Sequence, residues 1–250
     1  MPKPTDPHSE HDRLIRKLES IAELSAEEKS AVRSLPLVLK NLPGDTDIVR
    51  DGDRPSECCL IVEGFACRYK ITPAGKRQIM SFHIPGDIPD LQSLHLRVMD
   101  HSVGTLTPCR LAFIPHESLR DLMRRHPRIA DAFWRDTLID AAVFREWMVG
   151  IGRRSAYQRI AHLLCEMLVR CRAVGLTEDH AYELPITQEE LGDALGISSV
   201  HVNRVLQDLR QDGLIVLRGR YVSTPDWEGL KSAGEFDPIY LHLDRDADAA

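Results

Sequence analysis

The sequence predicts an α+β protein built in three successive parts: an antiparallel β region, a long helix, and a C-terminal winged helix-turn-helix. Three observations carry the prediction. Between residues 36 and 115 glycines fall at 44, 52, 64, 75 and 86, in steps of 8, 12, 11 and 11, and turn signals at that spacing mark an antiparallel sandwich or barrel. From Pro127 to Val149 no glycine and no second proline interrupts a run whose apolar residues recur at the helical period. Thr187 to Leu206 holds two short helix patterns around Gly196, and two strand-like pieces follow around Gly219.

The 250 residues are 43% hydrophobic and 28% charged, a balance that suits a globular fold and argues against disorder or a fibrous repeat. The longest apolar run, around Cys58 to Val62, is far short of the ~18 residues that cross a bilayer. Behind Lys3 the first residues carry no apolar segment, so they do not read as a secretory signal. The cysteines, at 58, 59, 67, 109, 165 and 171, form no CxxC pair. That speaks against a zinc finger or a disulfide scaffold and for reduced thiols in the cytoplasm. Net charge is −6, and residues 226–250 contribute most of it, with two basic against seven acidic side chains. A mildly acidic total leaves room for nucleic-acid binding through a local basic face, and argues against indiscriminate coating of nucleic acid.

Taken in order, residues 1–35 read as helical, with Ser25 capping a helix that has acids in its first turn and Ala31, Val32 and Leu35 beyond. Strand-like pieces follow at 58–62, 65–71, 78–84 and 110–114, and Thr72 to Gly75 is a turn with proline presetting φ. From His116 the texture is helical. Pro127 suits the first turn of a new helix, where its missing N–H costs nothing. At 100° per residue Ile129, Ala132, Phe133, Ile139, Val143 and Trp147 share one face of that helix. Trp134, Leu138, Ala141, Ala142, Met148 and Val149 form a second face. Two apolar faces need two partners, one its own β region and the other a second copy of the chain or a neighbouring part of the same domain. Residues 155–173 are another amphipathic helix, and 174–183 reads as a loop.

The most informative stretch comes next. Thr187 can cap a first helix, with Glu190 completing a capping box. Gly192 is small where a second helix crosses, and Gly196 suits a tight turn that needs positive φ. Ser198 caps the second helix, whose inward side is Val202, Val205, Leu206 and Leu209. Gly213 stops it, and Leu214–Leu217, the basic turn Arg218-Gly219-Arg220 and Tyr221–Ser223 make a hairpin. In such a motif the second helix enters the DNA major groove. Its solvent face carries Ser199, Val200, His201, Asn203, Arg204, Gln207 and Arg210, while Thr187 and Gln188 begin the first helix. Arginine can hold guanine bidentately and asparagine can pair with adenine; Arg218 and Arg220 suit phosphate.

The glycine-punctuated β region, the turn Phe82 to Asp87, the long helix and the motif Ile186 to Leu214 resemble the cyclic-AMP receptor protein and fumarate–nitrate regulator family of bacterial transcription factors. The resemblance implies N-terminal helices at 1–35 and a cyclic-nucleotide-binding-like β-roll, or jelly roll, at 36–126. It further implies a dimerisation helix at 127–149, with Trp134, Leu138, Ala141, Ala142 and Met148 at the interface, and a winged helix at 150–225. Residues 226–250 stand outside the family pattern as an acidic extension. The implied partners are an operator in double-stranded DNA, a second copy of the chain and RNA polymerase, with no membrane. In the family, residues at the positions of Ser199, Val200 and Arg204 read bases. Arg204 fits that pattern, and Ser199 and Val200 depart from it.

Ligand chemistry departs further. The family's cyclic-nucleotide cassette ends in Arg-Ser or Arg-Thr, and here the place is held by Met99-Asp100, where a buried acid would repel phosphate. Gly86, Asp87, Asp90, Arg97 and Asp100 are the effector-pocket candidates, with Asp90 as a stand-in carboxylate and Arg97 two positions out of place. No cysteine precedes Cys58, which speaks against the iron–sulfur branch. His83, His95, His101 and Cys67 are candidate haem ligands only as isolated residues, and the pair Cys58-Cys59 reads as buried structural thiols. The expectation is a regulator with no cofactor, no metal and an unidentified effector or none. Two other classes compete: a β-roll sensor acting on a protein partner without DNA, and a cupin-like enzyme, for which the required His-x-His and nearby Glu are missing.

Overall fold

The computed structural model describes residues 9–178 and 180–243. Residues 1–8, Asp179 and 244–250 lie outside the description, and with them the reading of the N-terminus and the last part of the expected extension. The chain divides into two units, one holding residues up to Arg68 with Phe82–Leu138, the other Tyr69–Ser81 with the chain from Ile139 onward.

In the first unit α1 (Ser9–Glu19) and α2 (Ala26–Arg33) precede the strands. Ser25 caps α2 as expected: its hydroxyl accepts from Glu28 N–H at 3.2 Å, and the Glu28 carboxylate accepts from Ser25 N–H at 2.7 Å. The strands are β1 (Val38–Leu42), β2 (Asp47–Val49), β3 (Glu57–Glu63), β4 (Ala66–Ile71), β5 (Arg77–His83), β6 (Ser102–Thr105) and β7 (Cys109–Pro115), with a short 3-10 turn at Leu91–Leu94. They form two sheets, β1-β7-β3 and β2-β6-β4-β5. β7 is the centre of the first, so that Ala112 faces Leu39 on one side and Leu60 on the other. β3 is an unbroken apolar run because both of its faces are covered. Cys58, Leu60 and Val62 join one core with Leu14, Leu18 and Phe133, while Cys59 and Ile61 join another with Leu111 and Phe113. That split is the two-residue period of a strand. The thiols of Cys58 and Cys59 are fully buried, and burial pushes both upward in pKa.

α3 (His116–Arg125) leads to α4 (Pro127–Arg153), which continues four residues past the expected end at Val149, through Gly150 and Gly152. Ile129, Ala132, Phe133, Ile139, Val143 and Trp147 are all buried, as one face of a helix should be. On the second face Trp134 is 63% and Met148 73% exposed, with Leu138 and Val149 also open. Ala142 departs from the expectation. It is only 5% exposed and is covered by its own chain. Three residues from Ile139, it sits about 60° around the helix from the buried face and is drawn under it.

The second unit contains α5 (Ala156–Ala173), β8 (Thr177–Glu178), β9 (Ala181–Glu183), α6 (Gln188–Leu195), α7 (Ser199–Gln211), β10 (Val216–Arg218), β11 (Tyr221–Ser223) and α8 (Trp227–Gly234). The stretch read as a loop is therefore partly strand. β9 adds to the open edge of β11, and the sheet runs β10-β11-β9-β8. Strands of two or three residues are too short to show a period. The turn 69–81 clusters with this unit because Arg77 Nε donates to the Asp193 carboxylate at 2.7 Å and Gln78 Nε2 donates to Ala194 O at 3.1 Å.

Beyond residue 226 the chain does not trail away as a charged tail. Leu230, Phe236 and Leu241 are buried, and α8 lies so close to α5 that a Cβ at Gly234 would stand 2.6 Å from His162 N. The anchor is Glu166, which has no exposed surface. Its carboxylate accepts from Trp147 Nε1 at 3.0 Å, Tyr240 OH at 2.9 Å and Arg170 Nη1 at 3.2 Å. A buried carboxylate is tolerable when its lone pairs are filled this way. Burial and the neighbouring Glu166 push the Tyr240 hydroxyl upward in pKa, so it stays a donor.

Candidate nucleic-acid interface

Local chemistry builds the helix-turn-helix. Thr187 Oγ1 accepts from Glu190 N–H at 3.2 Å, and the Glu190 carboxylate accepts from Thr187 N–H at 2.6 Å. These bonds satisfy donors that the first turn of α6 would otherwise leave open. α6 ends at Gly196, whose φ of 68° is left-handed. Ser198 then caps α7, accepting from His201 N–H at 3.3 Å. The two helices cross tightly at Gly192, where a Cβ would lie 2.6 Å from the backbone oxygen of Ile197. Since a backbone atom cannot swing aside, Gly192→Ala should pry α6 from α7, cost about 1–3 kcal/mol of stability and abolish specific DNA binding. Thermal melts and gel shifts check it; an unshifted melt with normal binding would show that the turn absorbs a methyl.

α7 presents two faces. Val202, Val205, Leu206 and Leu209 are buried against the domain. Ser199, Val200, His201, Asn203, Arg204 and Gln207 are exposed, and Val200 is 69% exposed. The far end of α7 is fixed by Tyr157, whose hydroxyl donates to the Asp212 carboxylate at 2.6 Å; burial and that acid push the phenol up to about 12.

Asn203 is exposed and bonded within the protein. Its amide nitrogen donates to Gln188 Oε1 at 3.1 Å, and its oxygen accepts from Gln207 Nε2 at 3.0 Å. Three of the residues expected at the interface thus bind one another and tie α6 to α7. Arg218 and Arg220 are exposed in the turn joining β10 to β11, where Gly219 takes a φ of 62°. Thr187 and Gln188 are exposed at the start of α6.

The effector candidates are not brought together. Gly86 has a φ of 103°, and a Cβ there would lie 3.0 Å from Arg13 O. Asp87 is buried, receiving Lys17 Nζ at 3.0 Å and Ile84 N–H at 3.1 Å. Asp90 is buried and accepts from Cys59 N–H at 2.8 Å. Arg97 and Asp100, by contrast, are exposed. The expectation of a buried acid at 100 is overturned: the Asp100 side chain is 76% exposed and pairs with His101 Nδ1 at 2.7 Å, while Met99 takes the inward place. Among the described residues no three His, Cys, Asp or Glu side chains converge as metal ligands, and no helix is long and apolar enough to cross a membrane.

Residues 158–233 match the Crp-like helix-turn-helix domain, and residues 39–126 match the cyclic nucleotide-binding domain. The first match runs past the boundary at 225 that the sequence suggested and takes in most of α8. Transcriptional activator protein FnrL of Cereibacter sphaeroides is 28% identical over 240 residues, which are 93% of this chain and 94% of that protein. Nitrogen fixation regulation protein FixK of Bradyrhizobium diazoefficiens is 30% identical over 163 residues, 63% of this chain and 65% of that protein. The solved structure of FixK2 from Bradyrhizobium japonicum superposes with a TM-score of 0.72 at 24% identity, over 80% of this chain and 98% of that one. The α+β architecture expected from the sequence is the one these comparisons share. Arg97 is exposed while Asp90 is buried, its carboxyl accepting Cys59 N–H inside the core, so the five candidate residues do not offer an arginine and a carboxylate to one cyclic nucleotide.

Proposed function

The chain belongs to the Crp/Fnr family of DNA-binding transcriptional regulators, and from that premise we propose that it reads a near-palindromic operator as a homodimer in the cytoplasm, without a cyclic nucleotide or an N-terminal iron–sulfur cluster. The observation that carries the reading is the exposed ridge of Val200 and Arg204 on α7, one turn apart, above the buried Val202–Val205–Leu209 side. Two such ridges in a dimer would address half-sites about one helical turn apart, ~34–36 Å. The open second face of α4 supports the pairing of two chains. The lack of any cysteine before Cys58 and the exposure of Arg97 support the two ligand exclusions. RNA polymerase is the partner through which such a regulator would act, and catalysis has no place in the reading.

Within the interface Arg204 is assigned to a guanine edge, Val200 to a thymine methyl, and Arg218 and Arg220 to phosphates. Ser199 and His201 flank Arg204 and Val200 and stay available to bases or phosphates. Asn203 with Gln188 and Gln207 sets the angle between α6 and α7, and Thr187 sits where the first helix meets the DNA backbone.

Binding curves on operator and scrambled duplexes at several salt concentrations test this. Arg204→Ala should lose about 1–3 kcal/mol on operator and relax preference at one symmetric pair of positions. Arg218→Ala and Arg220→Ala should weaken both duplexes alike and reduce the salt slope by about one unit per lost phosphate contact. Equal losses on both duplexes for Arg204→Ala would make it a phosphate clamp and defeat the assignment.

A further inference from the structure

Within the second unit an open groove of about 490 Å³ runs between the last turns of α7 and the start of β10, lined by Gln207, Arg210, Gln211, Ile215 and Val216. Its floor is apolar: Ile215 is buried, and Val216 beside it is 38% exposed. The five lining side chains include one cation, Arg210, and no carboxylate. The groove is continuous with the exposed face of α7, because Gln207 on its wall donates to Asn203 Oδ1 at 3.0 Å. On its other side it opens onto the wing. Val216 and Arg218 share one face of β10 by the two-residue alternation of a strand. The antiparallel register sets Tyr221 opposite Arg218, so Val216, Arg218 and Tyr221 lie on one open face while Val222 is buried on the other. Tyr221 is 57% exposed. Glu183, opposite Tyr221 on β9, ends this face with an acid. Among the described residues the side chains of Arg210, Arg218 and Tyr221 make no ion pair or hydrogen bond. A single open apolar residue needs no explanation. Here two uncommitted cations alternate with Val216 and Tyr221 along one surface. A nucleic-acid strand offers the matching series, a negative charge at every nucleotide with an uncharged sugar between.

We propose that the groove and the outer face of the wing seat the sugar–phosphate backbone of one DNA strand, with Arg210 on a phosphate and with Val216 and Tyr221 against the deoxyriboses between it and the phosphate held by Arg218. The proposal rests on the reading of α7 as the DNA-facing helix and extends that surface to the far end of the helix. Contacts of this kind carry no sequence information. They would fix the register of α7 on the duplex and leave the choice of bases to Arg204 and Val200.

Binding curves of the full chain on operator and scrambled duplexes at several salt concentrations test the groove. Arg210→Ala should weaken both duplexes alike and lower the salt slope by about one unit. Tyr221→Ala should weaken both by about threefold or more and leave the slope unchanged, since it removes apolar contact and no charge. Both positions are exposed, so both variants should melt like the unaltered protein. Methylphosphonate substitution, which removes the charge of one phosphate at a time, reads the contact itself. At one symmetric pair of positions it should weaken the unaltered protein and leave Arg210→Ala indifferent. Unchanged affinities and slopes in both variants, or the same methylphosphonate profile with and without Arg210, overturn the proposal and leave the groove to a partner other than DNA, such as an acidic peptide. A loss confined to operator in Arg210→Ala would make it a base reader and overturn the proposal equally. An unaltered protein that shifts no duplex defeats instead the reading of the chain as a DNA-binding regulator.

Discussion

Replacing Trp134 and Leu138 together by aspartate should make the protein monomeric and lower its affinity for a two-half-site operator by about 10²- to 10⁴-fold, the gain that a linked second contact supplies. Trp134, Leu138, Ala141 and Met148 follow one another at intervals of four, three and seven residues, the alternation that keeps one seam facing a partner helix. Trp134, Leu138 and Met148 are open in the single chain, an exposed apolar stripe that a soluble monomer seldom carries. Because a two-fold axis sets each seam against its own copy, two aspartates per chain would place four like charges in one desolvated contact. In the free chain the same positions face water, so stability should change by no more than about 0.5 kcal/mol. Sedimentation equilibrium at micromolar concentration, paired with binding to full and half operators, reads both consequences. Half-site binding should be unchanged. A monomeric unaltered protein, or a variant that remains dimeric, would sink the seam.

Asp90→Asn should stabilise the protein above neutral pH by up to about 4 kcal/mol while leaving it unchanged near pH 4. Asp90 is 2% exposed. Burial pushes its carboxyl up to about 7, against the opposing pull of the Cys59 N–H bond and the Arg68 charge. An unfolded aspartate ionises near 3.9. Between those two values the folded chain holds a proton that the unfolded chain has released, so stability falls as pH rises from about 4 to about 7 and then levels off. Asparagine keeps the oxygen that accepts Cys59 N–H and cannot ionise. The difference in unfolding free energy between variant and unaltered protein, measured from pH 4 to 8, therefore isolates this one group. A difference that stays flat across the range would mean that Asp90 is ionised throughout and compensated within the core.

Where the determining contacts are local, the sequence could be read closely. The capping pairs Ser25–Glu28 and Thr187–Glu190 span three residues each. The left-handed turn at Gly196 and the two-residue period of β3 are equally short-range. The buried and exposed sides of α7 came out as the periodicity predicts, since that period depends on helix geometry alone. Reading failed where a side chain answers to distant partners. Asp100 is exposed because Met99 beside it takes the inward direction. Ala142 is buried although it falls on the outer stripe of the α4 wheel. The bond from Asn203 to Gln188, 15 residues away, likewise has no local signal.

The sequence by itself determined the class of the protein. Glycine spacing specified the β region, helical period specified the long helix, and the Thr187–Leu206 pattern with its wing specified a DNA-binding motif, because each depends on residues within one or two turns of one another. Only the tertiary structure decided how that motif is anchored. Glu166 meets Trp147 from 19 residues before it and Tyr240 from 74 after. α8 locks onto α5 through a glycine whose need is set by the backbone of residue 162. Arg159 reaches the last carbonyl of α6, Leu195 O, from 36 residues before it. No local pattern marks such pairings, because their energies come from burying and satisfying polar groups in one place, and that place exists only after the chain has packed.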